Sequence, residues 1–217
     1  MQITLELSPT IESVTFARQL GLTRCVSSLR AEGSSVISSE MALERQEFFA
    51  RTGIHWQVTG LPHGHYYRAM LGLPGRDEQI DNVCHTLCNL AEAGLDVVYG
   101  VWALTGFLRT EYSPTGRGGA RYSRFDQDVA ERMPAASLDW LGRYSREYPH
   151  IPHREVGPDE VWGNLLYFLE RVVPVAQECG IRLAFHPDDP PISPFIGVAR
   201  VLSTPEGLQR LLDRVPS

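Results

Sequence analysis

The residues best equipped for chemistry stand together near the end of the chain, in Ile181-Arg-Leu-Ala-Phe-His-Pro-Asp-Asp-Pro-Pro191. An imidazole, His186, is followed within three positions by two carboxylates, Asp188 and Asp189. Imidazole with carboxylate suits Mn²⁺, Fe²⁺ or Zn²⁺. Ile181 to Phe185 reads as a short buried strand. Pro187, Pro190 and Pro191 stop it, because proline lacks an N–H and fixes φ. His186 is therefore expected at the carboxyl end of a strand, the end that carries the active site in parallel α/β architectures. A plainer reading stands beside this one, a rigid turn whose aspartates are solvated or cap the next helix.

A second group of candidates is cationic. Arg109, Arg117, Arg121 and Arg124 are interleaved with Tyr112, Tyr122 and Phe125. A planar guanidinium can hold a carboxylate through two parallel hydrogen bonds, so a carboxylate clamp is the functional reading. A solvated loop is the plain one. Arg109 is the first choice for a substrate carboxylate and Arg117 the second. Basic residues among aromatics also suit single-stranded nucleic acid, but the acidic balance and a single Arg-Gly-Gly argue against it. Arg200 follows the proline-rich turn and either binds substrate or pins the loop to Asp188 or Asp189; the sequence leaves both open. His63-Gly-His65 is a possible metal pair, loosened by Gly64. His186-x-Asp188 also opens the facial triad of non-haem iron oxygenases, which needs a later histidine. None follows His186.

Alternating strands and helices must position these groups. Ile3–Leu7, Thr23–Leu29, His55–Leu61, Asp96–Leu104 and Ile181–Phe185 read as strands. Thr10–Leu20, a helix from Ser38 or Ser39 to Gly53, one from Arg76 to Gly94, a long one from Gly157 and a final one over Pro205–Val215 read as helices. The helix from Arg76 carries Ile80, Val83, Cys84, Leu87 and Ala91 at helical spacing. The long one carries Val161, Trp162, Leu165, Leu169, Val172 and Ala176, with a kink expected at Pro174. Tyr99, Trp102 and Trp56 lie on strands and read as core. The pattern means βαβ units and a parallel sheet. Between Leu104 and Gly157 runs a long excursion, with a short helix expected over Asp139–Tyr148. Long loops without their own structure are often lids or binding loops.

The chain has 217 residues, is 43% apolar and carries a net charge of −6. That is enough to bury a core, and it disfavours nucleic acid or an anionic membrane as principal partner. No apolar run approaches the roughly 18 residues of a membrane span, and no signal pattern opens the chain. A cytoplasmic protein is the expectation. Cys25, Cys84, Cys88 and Cys179 form no C-x-x-C pair and read as small buried hydrophobes in a reducing compartment.

The stretch Val172-Val-Pro-Val-Ala-Gln-Glu-Cys-Gly-Ile-Arg-Leu-Ala-Phe-His-Pro-Asp-Asp-Pro-Pro191, followed by Gly197-Val-Ala-Arg-Val-Leu-Ser-Thr204, resembles the mannonate dehydratase family of xylose-isomerase-like (β/α)₈ TIM barrels. Leu108-Arg-Thr110 and Arg117-Gly-Gly-Ala120 resemble the strand-four segment of the same family. The resemblance implies a lyase that removes water from D-mannonate to give 2-keto-3-deoxy-D-gluconate in glucuronate catabolism, with Mn²⁺ or Fe²⁺. It makes His186 a metal ligand and gives Asp188 and Asp189 the task of orienting the loop around it. Arg109, Arg117 and Arg200 become the residues for the sugar-acid carboxylate. Where the family has an acidic residue near the end of strand three, this chain has Thr59-Gly60. The family's other metal ligands, a cysteine, a second histidine and an aspartate, come from later strands.

With roughly 50 residues set aside for the excursion, the remainder carries about five of the eight βα units of such a barrel, at roughly 33 residues each. Residues 1–217 therefore read as a single partial barrel domain, with the excursion at about 105–156. No general acid or base is named by the sequence. A non-catalytic half-barrel remnant or binding module is the alternative, and a sugar isomerase or epimerase of the same superfamily a further one. The partners expected are D-mannonate and either a second copy or a complementing segment, without nucleic acid or membrane. The chain alone is expected not to dehydrate mannonate.

Overall fold

The computed structural model describes residues 3–31, 34–105, 107, 109–132 and 154–215. Among them are seven strands: β1 (Leu5–Glu6), β2 (Arg24–Val26), β3 (His55–Gly60), β4 (Val97–Val101), β5 (Glu111–Thr115), β6 (Arg121–Arg124) and β7 (Arg182–His186). The helices are α1 (Ile11–Gln19), α2 (Ser39–Arg51), α3 (Tyr67–Leu71), α4 (Arg76–Glu92), α5 (Gln127–Arg132), α6 (Pro158–Cys179) and α7 (Pro205–Arg214). The chain divides into two compact units. The first holds residues 1–102, 164–186 and 214–217; the second holds 103–163 and 187–213.

The first unit is built on a parallel sheet of five strands in the order β1-β2-β3-β4-β7. This is the expected βα alternation, with β7 pairing β4 across the excursion that holds β5 and β6. Helix starts follow the capping residues. Thr10 accepts a hydrogen bond from the Ser13 N–H at 3.3 Å, and Ser38 accepts one from the Met41 N–H at 3.3 Å, each contributing about 1 kcal/mol. Gly94, at φ +88°, turns the chain out of α4 in the left-handed region that glycine tolerates.

The apolar stripe of α4 is fully sequestered, with Ile80, Val83, Leu87 and Leu90 all at 0% exposure. Burial of each such side chain stabilises the fold by about 1.5–3 kcal/mol. The stripe of α6 is likewise buried, from Val161 and Trp162 through Leu165, Leu169 and Val172 to Ala176. One helix runs through Pro174 to Cys179. Trp56 and Trp102 are core residues, and Tyr66, Trp102 and Phe168 form an aromatic cluster with centroids 5.2–6.0 Å apart.

Two expectations are corrected. Cys88 and Cys179 are not separate reduced thiols: they form a disulfide that closes a sequence separation of 91 residues. Their Cα atoms lie 5.3 Å apart, within disulfide reach, a proximity that separation along the chain could not reveal. Cys25 and Cys84 remain free thiols. The excursion after β4 is also not a structureless loop over its described part. In the second unit β5 and β6 pair as an antiparallel hairpin, and α5 follows. The helix expected over 139–148 lies outside the described residues.

Also in the second unit, α7 starts at a Thr204 cap, which accepts from the Gly207 N–H at 3.2 Å. Arg210 stacks over the Trp162 ring at 4.4 Å. Among the described residues no helix is long and apolar enough to cross a membrane.

Candidate functional site

His186 is the last residue of β7, where the prolines stop the strand. It pairs in register with Val101, the last residue of β4. Paired residues on parallel strands share a face, so Arg182, Ala184 and His186 share the face of Val97, Tyr99 and Val101. The end of β4 is held by a residue that sequence reading passed over. The Tyr66 hydroxyl donates to the Val101 carbonyl at 3.0 Å and accepts from the Val101 N–H at 3.2 Å. It thereby satisfies both main-chain groups of the residue beside His186. The only signal was its position: an aromatic directly after His63-Gly-His65, itself just past a strand end.

His63–His65 forms a single 3₁₀ turn. Its two imidazoles differ in setting. The His63 ring packs on Tyr66 at 5.8 Å, whereas His65 is buried and its Nδ1 has no hydrogen-bond partner among the described residues. Burial holds the His65 pKa below its ordinary value. At Thr59-Gly60, the Tyr99 ring takes up the space that a side chain on residue 60 would need. A Cβ there would lie 2.6 Å from the ring. Cys25 is buried, and burial pushes its thiol up to about 12, which keeps it out of nucleophilic chemistry.

The remaining candidates belong to the second unit. Arg109 and Asp189 meet fork to fork, with Nη1 donating to Oδ1 at 3.1 Å and Nη2 to Oδ2 at 2.6 Å. The pair holds the Arg109 pKa above its ordinary value, chiefly through that hydrogen bonding. Asp188 is buried; its N–H donates to the Leu202 carbonyl at 3.1 Å and its Oδ2 accepts from the Leu202 N–H at 2.8 Å. Arg200 is 4% exposed. Its Nη1 donates to the Pro190 carbonyl at 2.8 Å and its Nη2 to Thr105 Oγ1 at 3.1 Å, while its guanidinium lies 4.4 Å over Phe195. Burial lowers its pKa, against the opposing field of Asp188 and Asp189. These bonds tie Arg200 to the proline-rich turn at Pro190 and to Thr105. Arg117 sits in the exposed turn of the β5–β6 hairpin, with Arg121 and Arg124 exposed on β6.

The structure thus brings Arg109 together with Asp189, Asp188 with Leu202, and Arg200 with Pro190 and Thr105. Among the described residues no group of three or more His, Cys, Asp or Glu side chains is placed to hold a metal ion. The described residues therefore do not by themselves make the usual site of three or more donors.

Comparison with known proteins agrees with this architecture. The chain is similar to the mannonate dehydratase of Thermotoga neapolitana, 32% identical over 195 residues, covering 82% of this chain and 54% of that one. It is also 32% identical over 151 residues to the mannonate dehydratase of Streptococcus agalactiae, covering 65% of this chain and 43% of the relative. Among solved structures, that of mannonate dehydratase from Streptococcus suis serotype 2 superposes with a TM-score of 0.81 at 22% identity, over 100% of this chain and 62% of that one. An L-ribulose 3-epimerase follows at a TM-score of 0.53 and 12% identity, over 100% of this chain and 58% of its own. These likenesses show the fold, a TIM-barrel type with about five of the eight βα units. The chain spans about half the length of the relatives that it matches in sequence. The family model for D-mannonate dehydratase (UxuA) matches residues 8–217, and the chain belongs to that family.

Proposed function

We propose that this chain is part of a metal-dependent lyase that dehydrates D-mannonate to 2-keto-3-deoxy-D-gluconate, a cytoplasmic step of hexuronate and glucuronate catabolism. The observation that carries the reading is the family match over residues 8–217. Residues 1–217 are read as one partial barrel domain. It works as a homo-oligomer or with a segment that completes it.

The chemistry explains why these residue types are needed. Removing water from a sugar acid starts with the proton next to the carboxylate. That proton is weakly acidic, because the enediolate places a second negative charge on the acid group. Cationic donors aimed at the carboxylate stabilise that charge. Arg109 is assigned this role, since its fork already holds a carboxylate, that of Asp189, in two-point geometry. Arg117 is a further cation for the same anion, and Arg200 contributes by holding the loop that carries Asp188 and Asp189. His186 is assigned as one donor to Mn²⁺ or Fe²⁺, with the others outside the described residues. When bound, such an ion would supply a Lewis acid for the developing enediolate.

The test is to supply the purified chain with Mn²⁺ and D-mannonate and follow 2-keto-3-deoxygluconate, then repeat with a carboxyl-terminal segment from a relative. Turnover only on complementation is expected. A Mn²⁺ titration of His186→Ala against the unaltered protein tests the metal assignment; equal affinity removes His186 from it. The second reading is a non-catalytic half-barrel remnant or binding module. Inactivity after complementation, with no binding of D-mannonate, would establish it.

A further inference from the structure

The fork of Arg109 is filled by an internal carboxylate. Asp189 takes one N–H from each terminal nitrogen, which is how a bound carboxylic acid ligand would use the same group. The pair is open to solvent, with side chains 25% and 33% exposed, so a dissolved acid can reach both partners. The loop on either side of Asp189 is held by other contacts. Asp188 is tied twice to Leu202, and the Pro190 carbonyl is tied to Arg200, which also grips Thr105. Its neighbours can therefore keep the loop in place while the Asp189 carboxylate leaves Arg109.

We propose that Asp189 is a built-in competitor, occupying the Arg109 fork until the carboxylate of an incoming sugar acid takes its place. This rests on the reading of the chain as a handler of sugar acids. The exchange conserves charge: one anion leaves the guanidinium as another arrives. It also makes the pair a filter. A neutral sugar of the same shape offers only hydroxyl groups, which are weaker acceptors, so it cannot open a charge-assisted fork. The cost falls on affinity, because only the fraction of molecules with an open fork can bind.

Calorimetric titration of the protein and of Asp189→Asn with D-mannonate and with D-mannitol tests the exchange. Removing the competitor should tighten D-mannonate binding about fivefold, roughly 1 kcal/mol and the upper size of a part-exposed ion pair. D-mannitol binding should not change. Arg109→Gln should abolish the preference for the acid. Equal or weaker D-mannonate binding by Asp189→Asn overturns the proposal, as does an absence of any carboxylate binding to that variant. Acetate, followed by NMR titration, separates this outcome from failure of the functional reading. If acetate binding tightens in Asp189→Asn while D-mannonate binds no better than acetate, the exchange holds and the sugar-acid reading falls. If D-mannonate binds well but neither acid gains from the substitution, the reading holds and the exchange falls. Should Asp189→Asn not fold, hydrogen exchange in the unaltered protein decides. The Asp189 amide should exchange faster with saturating D-mannonate than with D-mannitol while the Asp188 amide, bonded to Leu202, is unchanged, and equal or slower exchange at Asp189 overturns the proposal.

Discussion

Asp188 and Leu202 hold each other by two hydrogen bonds, one from each main-chain N–H, across fourteen positions of the chain. The Asp188 carboxylate acts here as a structural acceptor inside the second unit. Replacing it with alanine leaves the buried Leu202 N–H without that acceptor, which costs about 1–3 kcal/mol. Asp188→Asn retains a side-chain oxygen at the same reach and should lose less than half as much. Urea unfolding of both variants measures this. Equal losses would mean that the charge of Asp188, not its hydrogen bond, matters.

The Cys88–Cys179 disulfide predicts a second outcome. Linking residues 91 apart restricts the unfolded chain and, on the chain-entropy account, stabilises the fold by about 4.6 kcal/mol. In a chain of this size, Cys88→Ser with Cys179→Ser should lower Tm by about 10 °C. Thiol titration of the denatured, unreduced protein should find two reactive groups, Cys25 and Cys84. Four thiols, together with a Tm indifferent to reductant, would rule the bond out.

Most of the first unit was legible in the sequence because its signals are local. Apolar spacing located α4 and α6, Thr10 and the Ser38-Ser39 pair marked helix starts, and the prolines after His186 marked the end of β7. The extent of β1 and β2 was less legible. Pairing partners, not propensity, decide where a strand stops, and the alternating stretches extended further than the ladders do. The hairpin of β5 and β6 was missed because Gly116 to Ala120 resembles any polar loop, and its strands are largely exposed, so no buried face announces them. In the candidate site, residue types were readable and partners were not. Arg109 was recognisable as a carboxylate binder, but its partner Asp189 lies 80 residues away. The Tyr66 bonds to Val101 and the Cys88–Cys179 link were hidden for the same reason, since both depend on contacts between distant segments.

His65 gives the protein a pH dependence of defined sign. Burial lowers its pKa in the folded state below the ordinary 6.5. The unfolded chain therefore binds the proton more readily than the folded one. Stability from this group is complete above pH 6.5, falls as the pH drops below 6.5, and levels off once the folded-state pKa is passed. His65→Gln should flatten this part of the profile. Comparing urea midpoints at pH 7.5 and 5.5 for the two proteins checks it. An equal fall in both would assign the effect to other groups.

Gly207 and Gly163 should respond to alanine in opposite directions, although both lie in helices. Helix propensity alone favours alanine over glycine by about 1 kcal/mol at either position. At Gly163 in α6 the position is exposed and an added Cβ meets nothing within 4 Å, so Gly163→Ala should stabilise the protein by up to about 1 kcal/mol. At Gly207 in the first turn of α7, the Cβ would fall 2.2 Å from the Val201 carbonyl oxygen. That neighbour is main chain and cannot rotate aside. The Thr204 cap, bonded to the Gly207 N–H, also restrains the helix from moving away. Gly207→Ala should therefore cost about 1–3 kcal/mol despite the better propensity. Thermal melts of the two variants decide the matter, and a Gly207→Ala protein as stable as its parent would show that α7 can shift off Val201 without loss.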